Sequence, residues 1–196
     1  MSSTDVETRT RILDAARQLL EERRGQGVRM GDIARTAGLS RQAIYLHFQS
    51  RADLLAATTR YIDELLDLEQ RLARSRSAAS GVERLDAYID AWGNYIPHIY
   101  SVAKALLVAQ ETDQAAAAAW NDRMTAMRDG CRAAIEAVQK DGQLAETWSA
   151  KRATDFLWTL LSVRNWEQLT QQCGWSSRQY ISRIQSVARC TFVRDQ

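Results

Sequence analysis

A single proline, Pro97, stands in 196 residues, and the nine glycines are spread thinly around it. Proline and glycine are the residues that punctuate strands, turns and barrels, so a chain this poor in both is read as a succession of helices. Apolar spacings of three and four support that reading, as in TRTRILDAARQLLEERR, where Ile12, Ala16, Leu19 and Leu20 fall on one face. The expected fold class is therefore all-α. A length of 196 residues suits one large or two small domains and allows a buried core.

Composition narrows the function classes. The chain is 45% hydrophobic and 26% charged, as in ordinary water-exposed globular proteins. No apolar run approaches the ~20 residues of a membrane span, and MSSTDVETRT has no apolar stretch suited to a secretory signal, so the expected location is cytoplasmic with no membrane partner. Cys131, Cys173 and Cys190 are odd in number and far apart, which fits neither a metal cluster nor a disulfide framework. No metal and no cofactor are expected. The net charge of +2 is unevenly held: residues 1–60 carry ten arginines and no lysine against seven acids, and residues 61–196 carry sixteen bases against seventeen acids. The basic excess at the front is where a polyanion would act.

The front of the chain reads as three helices. Thr4-x-x-Glu7 can form a capping box for the first, and Gly25 and Gly27 end it. GQGVRMG resembles a glycine-rich phosphate loop only superficially, since it follows a helix and lacks Gly-Lys-Ser/Thr; it is read as a connector. MGDIARTAG is a second, short helix with Ile33, Ala34 and Ala37 on its apolar side and Gly38 as its stop. Leu39 follows, and Ser40 caps a third helix, RQAIYLHF. Helix, short glycine turn and helix form the helix-turn-helix pattern.

Ile44 and Phe48 turn inward on the third helix, while Arg41, Gln42, Tyr45 and Leu46 lie on other faces. Arg and Gln at a helix N-terminus suit guanine and adenine edges in a major groove. Tyr45 and His47 can donate to phosphate oxygens, and the helix start at Ser50-Arg51 favours a phosphate. Packing is the competing reading for both rings, with Tyr45 half-buried and His47 a satisfied core histidine. A catalytic His47 has no nucleophile or carboxylate partner nearby in sequence.

Taken together, IARTAGLSRQAIYLHFQSRADLL resembles the DNA-binding region of TetR-family transcriptional regulators, in which Ile-Ala and Ala-Gly-Val-Ser precede aromatic-x-His-Phe-x-Ser-Lys and a pair of leucines. The resemblance reaches back over TRTRILDAARQLL and implies an N-terminal three-helix DNA-binding domain over 1–50, followed by a helical ligand-binding and dimerisation domain over 51–196. It implies that Arg41 and Gln42 face bases and that Tyr45, His47 and Arg51 clamp phosphates, with Ser40 and Arg29 beside them. Arg29 stands where the family commonly has a Thr or Ser cap, and Arg24-Gly25 where it has Gly and an aromatic.

Beyond Arg51 the segments are helical and less specific. RADLLAATTRYIDELLDLEQRLA is expected as one connecting helix, SRSAASG as a polar break, and Pro97 as the end of one helix or the start of the next. All six tryptophans lie in this part. Trp92, Tyr95, Ile96, Ile99, Trp120, Met124, Met127, Trp158 and Leu161 are candidates to line an apolar ligand cavity, and plain core between helices is the competing reading. Asn94, His98 and Asn165 are candidate orienting groups; Glu111, Asp113 and Asp122 read as a solvated face. The last two segments, with Leu160, Tyr180, Ile184 and Val187, present apolar faces suited to a four-helix dimer interface. The implied function is a ligand-responsive regulator, a repressor that binds a pseudo-palindromic double-stranded DNA operator as a homodimer and is released by a small apolar or amphipathic effector. A DNA-binding architectural protein without an effector is the alternative, and an enzyme is not expected.

Overall fold

The structure, a computed structural model, describes residues 3–24 and 27–194. Among the described residues it is all-α, with one isolated antiparallel bridge, Leu144 to Val193. The chain divides into two compact units, Met1–Leu66 with His98–Arg123, and Asp67–Pro97 with Met124–Gln196.

In the first unit, α1 (Ser3–Glu22), α2 (Met30–Thr36), α3 (Arg41–His47) and α4 (Arg51–Leu65) surround one apolar cluster. Ile12, Ala16, Leu19 and Leu20 of α1 are buried as their spacing requires, with Ile33, Ala34, Ile44, Phe48, Leu54 and Leu55. Burying such a side chain stabilises by roughly 1.5–3 kcal/mol. Thr4, expected at a cap, lies within α1, and its carbonyl accepts the Thr8 hydroxyl at 2.8 Å. The helix begins earlier than the Thr4-x-x-Glu7 pattern suggests. It closes at Glu22, and Arg23 and Arg24 form a turn; Gly25 lies outside the described residues.

The turn between α2 and α3 is set by local chemistry. Gly38 takes φ +64°, a left-handed conformation costly for a residue with a Cβ. That lets the Leu39 N–H reach back to the Ala34 carbonyl at 2.9 Å, closing α2. Ser40 Oγ then accepts the Ala43 N–H at 3.1 Å and starts α3, and Ser50 Oγ accepts from Asp53 N–H at 3.0 Å to start α4.

The single connecting helix expected from Arg51 is two helices. It breaks at Asp67, whose φ of +46° is left-handed and whose carboxylate accepts the Gln70 N–H at 3.2 Å, capping α5 (Leu68–Arg76). Aspartate tolerates this conformation better than most residues, and its cap outweighs the continuing apolar periodicity. The opposite correction applies at Pro97. It lies inside one continuous helix, α6 (Gly81–Ala109), with Tyr95, Ile96, Val102 and Ala103 buried around it. Packing on both flanks offsets the roughly 3 kcal/mol that an interior proline costs.

The second unit takes α5, the first half of α6, the second half of α7 (Gln114–Lys140), α8 (Ala150–Leu160), α9 (Val163–Glu167) and α10 (Ser177–Phe192). Between α8 and α9 the chain turns at Ser162, whose Oγ accepts the Asn165 N–H at 3.2 Å and caps α9, and α9 continues into a π-helical turn, Gln168–Gln172. Tyr88 packs against Gly130, where an added Cβ would stand 2.4 Å from its hydroxyl oxygen, and donates that hydroxyl to the Met127 carbonyl at 2.8 Å. Trp148, Phe156 and Phe192 form a ring cluster with centroids 5.3–6.1 Å apart.

Half of the apolar stripe expected at a dimer face packs inside the second unit. Tyr180 is fully buried and Ile184 nearly so, within the chain's own second unit. Neither is available to a partner. Val187 is exposed and Leu160 half-buried.

Candidate nucleic-acid interface

Helix α3 separates its residues by face. Ile44 is fully buried, and Arg41, Gln42, Tyr45 and Leu46 are exposed. At 100° per residue these four positions fall within an arc of about 140°. The stem of Arg41 lies over Gly31, 3.6 Å from where a Cβ would be, so α2 supports the side chain beneath its guanidinium. Ser40 spends its oxygen lone pair on the cap but keeps an O–H donor.

The end of α3 is held from α1. Arg9 places its guanidinium 4.4 Å from the Phe48 ring centroid and donates to the His47 carbonyl at 3.4 Å. His47 is largely covered, with Nδ1 3.5 Å from an Asp5 carboxylate oxygen. It is thus a supported ring at the edge of the helix, between the two readings offered by sequence.

Two further arginines of the first unit stand at helix starts. Arg29 is exposed at the cap position of α2. A guanidinium has no acceptor and cannot cap, so the work falls to Asp32, whose carboxylate accepts the Arg29 backbone N–H at 3.3 Å. Asp32 also accepts from Arg23 at 2.9 Å. The Arg23 hydrogen bond, then that of the Arg29 N–H, hold its carboxyl below the usual carboxylate range. Arg51 is half-buried at the start of α4 and donates Nε–H to the Val28 carbonyl at 2.9 Å. Burial lowers its pKa, and the Asp113 carboxylate opposes that shift.

The residues offered for a ligand are divided between the two units. Ile99 and Trp120 pack on the core of the first unit. In the second unit, the Trp92 and Tyr95 centroids are 6.0 Å apart, and Trp92 donates Nε1–H to the Leu161 carbonyl at 2.7 Å. That bond uses the polar handle Trp92 could have offered. Tyr95, Ile96, Met127 and Leu161 are buried, Met124 is half-buried, and Trp158 lies beneath Arg128 at 5.8 Å. A cavity of about 300 Å³ in this unit is lined by the charged residues Arg128, Asp129, Arg132, Glu136 and Lys151 together with Ala150 and Thr154, and none of the nine candidates lines it. Asn165 of α9 donates back to the Thr159 carbonyl of α8 at 2.7 Å, and Asn94 donates to that of Asp90 at 2.9 Å within α6; His98 is exposed. Among the described residues no group of three or more His, Cys, Asp or Glu could hold a metal ion, and no helix is long and apolar enough to cross a membrane.

The family match falls on the same region. The family profile of bacterial regulatory proteins, tetR family, matches residues 12–58, which run from the core of α1 through α3 into α4. The HTH-type transcriptional regulator TtgR of Pseudomonas putida is 35% identical over 79 residues, 40% of this chain and 36% of that protein. The chain thus spans about a third of the length of that relative in the match. The HTH-type transcriptional regulator CymR of the same species is 29% identical over 172 residues, 81% of this chain and 77% of that protein. Among solved structures, a protein from Saccharomonospora viridis crystallised with choline superposes with a TM-score of 0.81 at 23% identity, over 97% of this chain and 100% of that one. At that identity the likeness is one of fold.

Proposed function

We propose that the chain, whose helix-turn-helix region matches the tetR family profile of bacterial regulatory proteins over residues 12–58, is a ligand-responsive repressor of that family acting in the cytoplasm. It binds a pseudo-palindromic operator as a homodimer, and residues 1–50 read DNA while residues 51–196 hold the effector and the dimer contacts. The observation that carries the DNA-binding reading is the outward face of α3, where Arg41, Gln42 and Tyr45 stand exposed on a helix capped by Ser40 and held at its end by Arg9. Arg41 and Gln42 contact base edges; Tyr45, His47, Arg29 and Arg51 contact phosphates. One short helix reads only a few base pairs, which is the physical case for two copies on half-sites ~34 Å apart.

The effector is a small apolar or amphipathic molecule, and it releases DNA only by binding one conformation more tightly than another. A second reading, a DNA-binding architectural protein without effector, is favoured by one specific observation. Trp92 spends its N–H on Leu161, and Tyr95, Ile96, Met127 and Leu161 are closely buried.

Selection of binding sites from a random duplex library, followed by binding at two salt concentrations, separates the two. An enriched inverted repeat with steep salt dependence supports the operator-binding dimer. Salt-sensitive binding without enrichment supports the architectural protein. Absence of binding in both assays overturns both.

A further inference from the structure

Leu46 is the most exposed large hydrophobic side chain among the described residues, at 82%. A lone exposed leucine is ordinary on a protein surface. Its position is the informative part. It lies one helical turn beyond Gln42 on the same row of α3, beside the row of Arg41 and Tyr45, so the exposed face carries two polar side chains, one phenol and one purely apolar group. The backbone that presents it is held in place: the Phe48 N–H bonds the Ile44 carbonyl at 3.0 Å, and Arg9 covers the Phe48 ring and bonds the His47 carbonyl.

An isobutyl group has no donor or acceptor. In a major groove every base edge is polar except one feature, the 5-methyl group of thymine. We infer that Leu46 is a specificity-determining residue that packs on the 5-methyl of a thymine, next to the base pair contacted by Gln42. This rests on α3 being the DNA-reading helix, as proposed above. Gln42 suits adenine through N6 and N7, so the two residues one turn apart select an A·T-containing step in each half-site. The contact buries Leu46 only in the complex, which accounts for an apolar side chain so fully exposed in the free protein.

The test uses the full chain and the inverted repeat enriched from the random library. Each thymine is replaced in turn by uracil, which removes only the methyl, and affinity is measured for the wild type and for Leu46→Ala. At one thymine per half-site, the wild type should weaken about 4-fold, the factor for one buried methyl group. Leu46→Ala should bind the thymine and uracil duplexes within 2-fold of each other at that site. Thermal melting of Leu46→Ala should match the wild type, since the side chain touches little in the free protein. If every uracil replacement acts equally on both proteins, the Leu46 inference is overturned while α3 remains a reading helix. If no sequence is enriched, the reading of α3 falls, and this inference falls with it.

Discussion

Arg51 donates its Nε–H to the carbonyl of Val28, fastening the first residue of α4 to the backbone that enters α2. Sequence alone offered Arg51 as a phosphate contact; the structure adds an internal bond from a charged donor. Arg51→Ala is therefore expected to lose both. A hydrogen bond from a charged donor contributes about 1.5–3 kcal/mol, and half-burial places this one at the low end. Urea unfolding should show that loss without DNA. Binding should weaken for all sequences, with the salt slope reduced by about 1 if a phosphate contact is removed. An unchanged slope would leave Arg51 as a structural residue only.

Gln42→Ala should act differently. Gln42 is exposed and one turn from Leu46, so its removal should leave stability unchanged and alter which base is preferred at one position per half-site. A bidentate base contact is worth about 1–3 kcal/mol. Repeating the site selection with the variant checks this, and a uniform loss across sequences would move Gln42 to the phosphate contacts.

Two buried tyrosines give a paired test of the second unit. The Tyr88 hydroxyl donates to the Met127 carbonyl, and the Tyr180 hydroxyl is buried with no hydrogen-bond partner among the described residues. Tyr88→Phe should destabilise by about 0.5–1.5 kcal/mol. Tyr180→Phe should leave the unfolding midpoint unchanged or raise it, because an unmatched buried hydroxyl is removed. A clear loss for Tyr180→Phe would mean that this hydroxyl has a partner.

The helix-turn-helix was legible because each of its turning points is dictated by one residue's own chemistry. Gly38 supplies the left-handed turn, and Ser40 and Ser50 supply caps. The inward positions Ile44 and Phe48 followed from a spacing of four. Periodicity was less informative further on. It marks Tyr180 and Ile184 as apolar but does not say that the same chain covers them. Nor could spacing reveal that Asp67 would turn left-handed inside an apolar run, or that α6 would carry Pro97 without ending. The outward side of α3 was visible from sequence, whereas the Arg9 and Asp5 contacts to its end depend on residues 38 and 42 positions away.

The three cysteines should separate by reactivity. Cys173 and Cys190 are exposed and free, while Cys131 is fully buried. Burial pushes the Cys131 thiol up to about 12, against a weaker opposing effect of the Tyr88 hydrogen bond. A thiol-reactive chromophore at pH 8 should label two cysteines rapidly and the third only with unfolding. Fast labelling of all three would show that the region around Gly130 opens readily.

Alkaline pH should weaken the fold. Cys131, Tyr88 and Tyr180 all have pKa values raised in the folded state, chiefly by burial. The folded protein therefore keeps protons that the unfolded chain releases, beginning near the ordinary thiol value of 9.0 and adding the phenols above 10.0. Their contribution is fully present below pH 9 and declines as pH rises through that window. Urea midpoints between pH 8 and pH 11 should fall progressively; a flat profile would mean that these groups titrate alike in both states.

The π-helical turn at Gln168–Gln172 holds one residue more than an α-helical turn of the same rise would. Gln168, Gln171 and Gln172 are exposed, so the surplus is carried on the surface. In descent, such a turn is a place where the gene can lose a codon without moving what lies on either side. A chain lacking one of these glutamines would close the turn as ordinary α-helix, keeping Trp166 and Tyr180 in their buried positions.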